Sequence, residues 1–113
     1  MFLPAFLVAL GGAMGALSRF AIGLAPRLAF PWHTLAVNLV GALLIGAVLA
    51  RSPGDTPRFF FVIGFLGAFT TMSAYSMETV DLLQAGRRGL AAANVAANAL
   101  GGPLMAWLGW RFV

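Results

Sequence analysis

Cysteine is absent from the chain, which excludes disulfide staples, thiolate metal sites and cysteine nucleophiles. Charge is scarce too: 9% of the 113 residues are charged, as seven arginines against three acids, Asp55, Glu78 and Asp81. No acid precedes Asp55, so the first two apolar stretches lack the central carboxylate that a proton-driven exporter of cationic compounds needs. His33 is the only histidine. No His/Asp/Glu cluster has metal-ligand spacing and no acid–base pair lies near a nucleophile, so the sequence shows no catalytic machinery. The arginines are spread over helix ends, which is how membrane anchors are arranged and not how a phosphate-tracking patch is built.

What remains is apolar. Hydrophobic residues make up 61% of the sequence, more than a soluble core of this size could hide. Four stretches read as membrane spans: Phe2–Ala25, Trp32–Ala50, Phe59–Val80 and Leu90–Trp110. Each is near the roughly 20 residues that cross about 30 Å of hydrocarbon. Short connections at Pro26–Pro31, Arg51–Arg58 and Asp81–Gly89 leave no room for a soluble domain and put both termini on one side. No Lys or Arg precedes the first stretch and no small-residue cleavage pattern follows it, so it reads as a span rather than a leader. The expected fold is an all-α membrane protein of four spans in a single domain. A bundle this thin has almost no interior, so burying its polar residues calls for an oligomer.

The arginines are balanced across the membrane. One face carries Arg51, Arg58 and Arg111, and the other Arg27, Arg87 and Arg88. Lys/Arg asymmetry fixes orientation, so three against three leaves it undecided: either the balance is chance in so short a chain, or both insertions occur and pair as an antiparallel, dual-topology dimer.

Arg19 is the most informative residue. It follows Gly11 and Gly15 and precedes Gly23 at steps of four, on one helix face suited to close backbone contact. A charge inside the hydrocarbon is costly and marks an ion or substrate path, and a cationic one points to an anion. In the second span Thr34, Asn38, Ala42 and Gly46 share a face. A membrane Asn most often serves as helix–helix glue, but beside an intramembrane Arg it becomes a candidate anion donor. The third span, Gly64-Phe65-Leu66-Gly67-Ala68-Phe69-Thr70-Thr71-Met72-Ser73-Ala74-Tyr75-Ser76-Met77-Glu78, is interrupted by glycines, hydroxyls and an acid. Its glycines and Thr pair are consistent with a broken helix, whose freed carbonyls can hold Na⁺. Past the Thr pair, Thr71, Tyr75 and Glu78, and likewise Ser73 and Ser76, form a polar face. Asn94 and Asn98, one turn apart in the fourth span, suggest a wetted groove.

Taken in order, Gly11-Gly12-Ala13-Met14-Gly15-Ala16-Leu17-Ser18-Arg19-Phe20, Thr34-Leu35-Ala36-Val37-Asn38-Leu39-Val40-Gly41 and Gly64 to Ser73 with Glu78 resemble the Fluc (CrcB) fluoride channel family. The resemblance implies a dual-topology dimer in the cell membrane that exports cytoplasmic fluoride passively and protects a microbial cell from it. It implies an anion pathway over Arg19, Asn38, Thr71, Met72, Ser73, Tyr75, Glu78, Asn94 and Asn98. It also implies a structural, non-transported Na⁺ held by the main-chain carbonyls of Gly67 and Thr70 from both subunits. Met72 and Tyr75 stand where the family carries paired phenylalanines, and His33 where it usually carries glycine. Tyr keeps an electropositive ring edge and Met does not. These departures keep open a heterodimer with a homologous subunit. A small multidrug-type antiporter and a non-transporting assembly subunit are the alternatives; the first is disfavoured by the absence of any acid before Asp55, and the second leaves the buried Arg and Asn residues unexplained.

Overall fold

The computed structural model describes residues 2–51 and 54–113. Ser52 and Pro53, within the expected Arg51–Arg58 connection, lie outside the described residues. The described residues are mostly helical, with no strand among them. Helix α1 spans Phe2–Gly23 and α2 spans Trp32–Ala50. Next comes a rod, α3, composed of a turn at Asp55–Pro57, a π-helical stretch at Arg58–Leu66 and a last α-turn at Gly67–Phe69. After a break, α4 covers Met72–Gln84 and α5 covers Arg88–Phe112.

The second span begins and ends at the expected residues, whereas the others shift. The first ends two residues early. The third starts four residues sooner than expected, because Pro57 falls in the first turn, where a missing N–H costs nothing. Its second half runs through Asp81 to Gln84 and stops before Gly86, whose φ of +76° lies in the left-handed region that ends many helices. The expected Asp81–Gly89 loop is therefore mostly helix.

Among the described residues three helical stretches are long and apolar enough to cross a membrane: Phe2–Gly23, Trp32–Ala50 and Asp55–Gln84. At 25 residues, α5 is long enough, but its Ala, Gly and Asn content makes it less apolar than the other three. The longest dimension is 48 Å, close to the roughly 40–45 Å of a bilayer with its headgroups.

Packing follows the glycines. A Cβ on Gly11 would collide with the carbonyl of Phe60, and one on Gly15 with that of Phe65. Phe60 and Phe65 are five apart, the hydrogen-bond step of a π-helix, and the glycines are four apart, the step of an α-helix. Each helix thus turns one feature per step toward the other, and the backbones meet. Gly64 completes the contact from the α3 side, against the Val8 carbonyl. The same device joins α2 to α5: Gly46 faces the Ala106 carbonyl and Gly109 faces that of Leu43. At the end of α2, Arg51 donates to its own helix at the Ala47 carbonyl (3.1 Å) and to that of Val113 (2.9 Å), placing a cation where helix carbonyls lack partners. Outward-facing Phe2, Leu17, Phe20, Leu24, Leu100 and Leu104 are exposed, as expected of surfaces that meet lipid.

Candidate functional site

The break between α3 and α4 lies at the Thr pair. Thr70 (φ −79°, ψ 154°) and Thr71 (φ −148°, ψ 116°) are extended. Thr70 still belongs to α3 by its hydrogen bonds, its N–H and its hydroxyl both donating to the Leu66 carbonyl at 3.1 and 3.0 Å. Thr71 instead caps α4, its hydroxyl accepting the Ala74 N–H at 3.1 Å. The Thr71 N–H, which in a continuous helix would reach the Gly67 carbonyl, donates to Asn38 Oδ1 at 2.9 Å. The Gly67 carbonyl loses its helical donor because Thr71 turns to Asn38, and the Thr70 carbonyl loses its own because Ala74 turns to the Thr71 hydroxyl. A broken helix presents poles of opposite sign, with free carbonyls ending α3 and free N–H groups opening α4.

Asn38 anchors a ladder of amides. Its Nδ2 donates to the Thr71 carbonyl (3.3 Å) and to Asn98 Oδ1 (2.9 Å). Asn98 Nδ2 donates in turn to the main-chain carbonyl and to Oδ1 of Asn94, at 2.9 and 3.0 Å. Asn94 is fully buried, and its Nδ2 donates to the Thr79 hydroxyl (2.9 Å), which donates to the Tyr75 carbonyl (2.8 Å). The ladder crosses from α2 to α5 to α4. It satisfies amides that would be costly unpaired in an apolar setting.

An open groove of about 550 Å³ runs beside the break, lined by Asn38, Gly67, Thr70, Thr71, Met72 and Tyr75 among others. Met72 is 73% exposed and Tyr75 half-buried, and both border this space. The Ser73 hydroxyl lies 3.3 Å from that of Thr71. Among the described residues no group of three His, Cys, Asp or Glu could hold a metal ion. A cation here would rely on the freed main-chain oxygens, those of Gly67 and Thr70 among them, which suit a hard ion.

Arg19 and Glu78 lie elsewhere, in a second cavity of about 380 Å³ that also includes Arg27, His33, Thr34 and Arg87. Arg19 Nη2 donates to the Thr34 hydroxyl at 3.1 Å, and that hydroxyl donates to Glu78 Oε1 at 2.5 Å. Thr34 is 2% exposed and links charge to carboxylate across α1, α2 and α4. Arg19 Nε is the one buried side-chain nitrogen or oxygen among the described residues without a hydrogen-bond partner. Three guanidinium groups, Arg19, Arg27 and Arg87, line this vestibule together with two carboxylates, Glu78 and Asp81, and Arg19 keeps one donor to spare.

The residues expected on a single path thus divide. Arg19 and Glu78 line the vestibule; Asn38, Thr71, Met72, Tyr75 and Asn98 line the groove with Gly67 and Thr70; Asn94 lies behind it. Thr34 and Thr79, each joining two helices, were not among the expected site residues. Thr34 could have been found by its spacing of four from Asn38, on the same face; nothing in the sequence singles out Thr79.

Known proteins resemble this chain over most of its length. A family model described as CrcB-like protein, Camphor Resistance (CrcB), matches residues 6–110. A fluoride-specific ion channel FluC of Novosphingobium aromaticivorans is 44% identical over 112 residues, covering 90% of this chain and 89% of that protein. The protein of the same name from Stutzerimonas stutzeri is 44% identical over 114, covering 93% and 92%. That of Variovorax paradoxus is 40% identical over 120 aligned positions, covering 100% and 96%.

Proposed function

The chain belongs to the CrcB family, and on that footing we propose that it is a fluoride-specific ion channel of the cell (inner) membrane, through which cytoplasmic fluoride leaves passively. It is a conduit and not an enzyme. The observation that carries the reading is Arg19 in the vestibule: a guanidinium within a membrane-spanning helix, with a buried and unpartnered Nε and with Arg27 and Arg87 around the same cavity. A small anion is strongly hydrated, and a narrow path admits it only if donors replace its water. Beyond Arg19, the path follows the hydroxyls of Thr71 and Ser73, the opening N–H groups of α4 and the ring edge of Tyr75, with Met72 in place of a second ring and Glu78 at the vestibule end.

All four long helical segments span the membrane in this reading, and two copies pair antiparallel. The balanced arginines support that arrangement, as does the pair of freed carbonyls at Gly67 and Thr70. Two oxygens make half a shell for Na⁺, and a second copy doubles them. Held by the Gly67 and Thr70 carbonyls of both copies, a Na⁺ would supply a fixed positive charge between the broken helices and would not be carried through.

The test is growth of a bacterium without its own fluoride exporter, on fluoride-containing medium. Expression of this chain should restore growth in fluoride and leave growth in equimolar extra chloride unchanged. Failure to restore growth, with the protein present in the membrane, would overturn the proposal.

A further inference from the structure

The side chain of Asn38 is committed in an unusual way. Both amide hydrogens are engaged, by the Thr71 carbonyl and by Asn98 Oδ1, and Oδ1 takes the Thr71 N–H. One side chain therefore grips both the N–H and the C=O of a single residue, as a neighbouring strand would. No N–H of the Asn38 amide is left to offer a passing anion.

We propose that Asn38 is a positioning residue for cation binding: by drawing off the Thr71 N–H it keeps the Gly67 carbonyl unpaired and available to Na⁺, and Asn98 locks it in that rotamer. The inference rests on the Na⁺ reading given above and adds which side chain makes the site possible. Without an acceptor at position 38, the Thr71 N–H has the Gly67 carbonyl four residues back as its natural partner, and the break heals toward a continuous helix. Thr71 acts likewise on the second oxygen, since its hydroxyl holds the Ala74 N–H away from the Thr70 carbonyl. The two oxygens are freed by separate devices, one from α2 and one from the break itself. Asn98 is fixed by two bonds to Asn94, and Asn94 is fully buried, so the grip on the break is anchored in the least exposed part of the molecule.

The test uses the purified protein in detergent, melted across a range of NaCl with N-methylglucamine chloride holding ionic strength constant. Wild type should gain thermal stability with Na⁺. Asn38→Ala should lose most of that gain, its apparent Na⁺ affinity falling about tenfold, as expected when an oxygen ligand is returned to a helix hydrogen bond. Asn98→Ala, which unlocks Asn38 without touching the break, should show the same loss in smaller measure and serves if Asn38→Ala does not fold. Leu35→Ala, a buried change on the same helix, should melt lower yet keep the full Na⁺ gain. A full gain in both Asn variants, or an equal loss in Leu35→Ala, would overturn the proposal while leaving the Na⁺ reading intact. A wild type that melts alike in both salts would remove the Na⁺ reading, and this inference with it.

Discussion

The two polar regions of the molecule use similar groups in opposite ways. Around Arg19, a guanidinium and a carboxylate share one threonine hydroxyl, Nε has no partner, and the cavity is open. Around Asn94, each amide gives to the next residue in line until the last donor reaches a helix carbonyl, and no buried side-chain nitrogen or oxygen is left over among the described residues. Unmet hydrogen-bonding capacity is costly in an apolar setting and is kept where something else can meet it. A region with a donor to spare is suited to receive an anion, and one with none is suited to hold helices in place. Charge alone would not have separated them, because polar residues in membranes serve both purposes.

Substitutions at either region should break this contrast in different observables. The largest effect is expected at Arg19: Arg19→Ala should lower fluoride flux by about 100-fold, since hydrogen bonds to charged groups are worth roughly 1.5–3 kcal/mol, with little change in melting temperature. Asn94→Leu should do the reverse first, costing about 2–3 kcal/mol of stability through orphaned partners on Asn98 and Thr79, as measured by denaturant unfolding in detergent. Gly15→Ala tests the packing that carries both regions. The Phe65 carbonyl it would strike is backbone and cannot swing aside, so a cost of about 1–3 kcal/mol is expected in the same assay. Thr71→Val removes the cap of α4 and should cost about 1 kcal/mol. Met72→Phe is the mildest: Met72 is exposed on the groove, so stability should hold, and an added ring edge should leave flux unchanged or raised.

Periodicity made some of this legible in the sequence and chemistry made more. The bounds of α2 could be read because an apolar run begins after Pro31 and ends at Arg51. Glycines at steps of four announced a face of close backbone contact on α1, which Gly11 and Gly15 make with α3, but not its partner, and Gly23 has as its nearest neighbour the Arg19 side chain of its own helix. The Thr pair marked the break, since its hydroxyls can replace helical hydrogen bonds, as Thr71 does for Ala74. The polar face of α4 resembled a loop past Asp81, and only the left-handed Gly86 shows where the helix stops. The π-helical stretch was not legible, because one extra residue per turn leaves no pattern in a run of phenylalanine and aliphatic residues. Partners were the least legible of all. Thr34 and Glu78 are 44 residues apart and Asn38 and Asn98 are 60 apart, and pairing at such separations is decided by helix packing.

The most direct measurement is fluoride release from liposomes that contain only this chain, followed with a fluoride electrode for wild type and Arg19→Ala at equal protein density. The account predicts rapid release from wild type, against a chloride leak no greater than that of empty liposomes, and nearly complete retention of fluoride by the variant. Equal release by the two proteins, or no release by wild type, would contradict it.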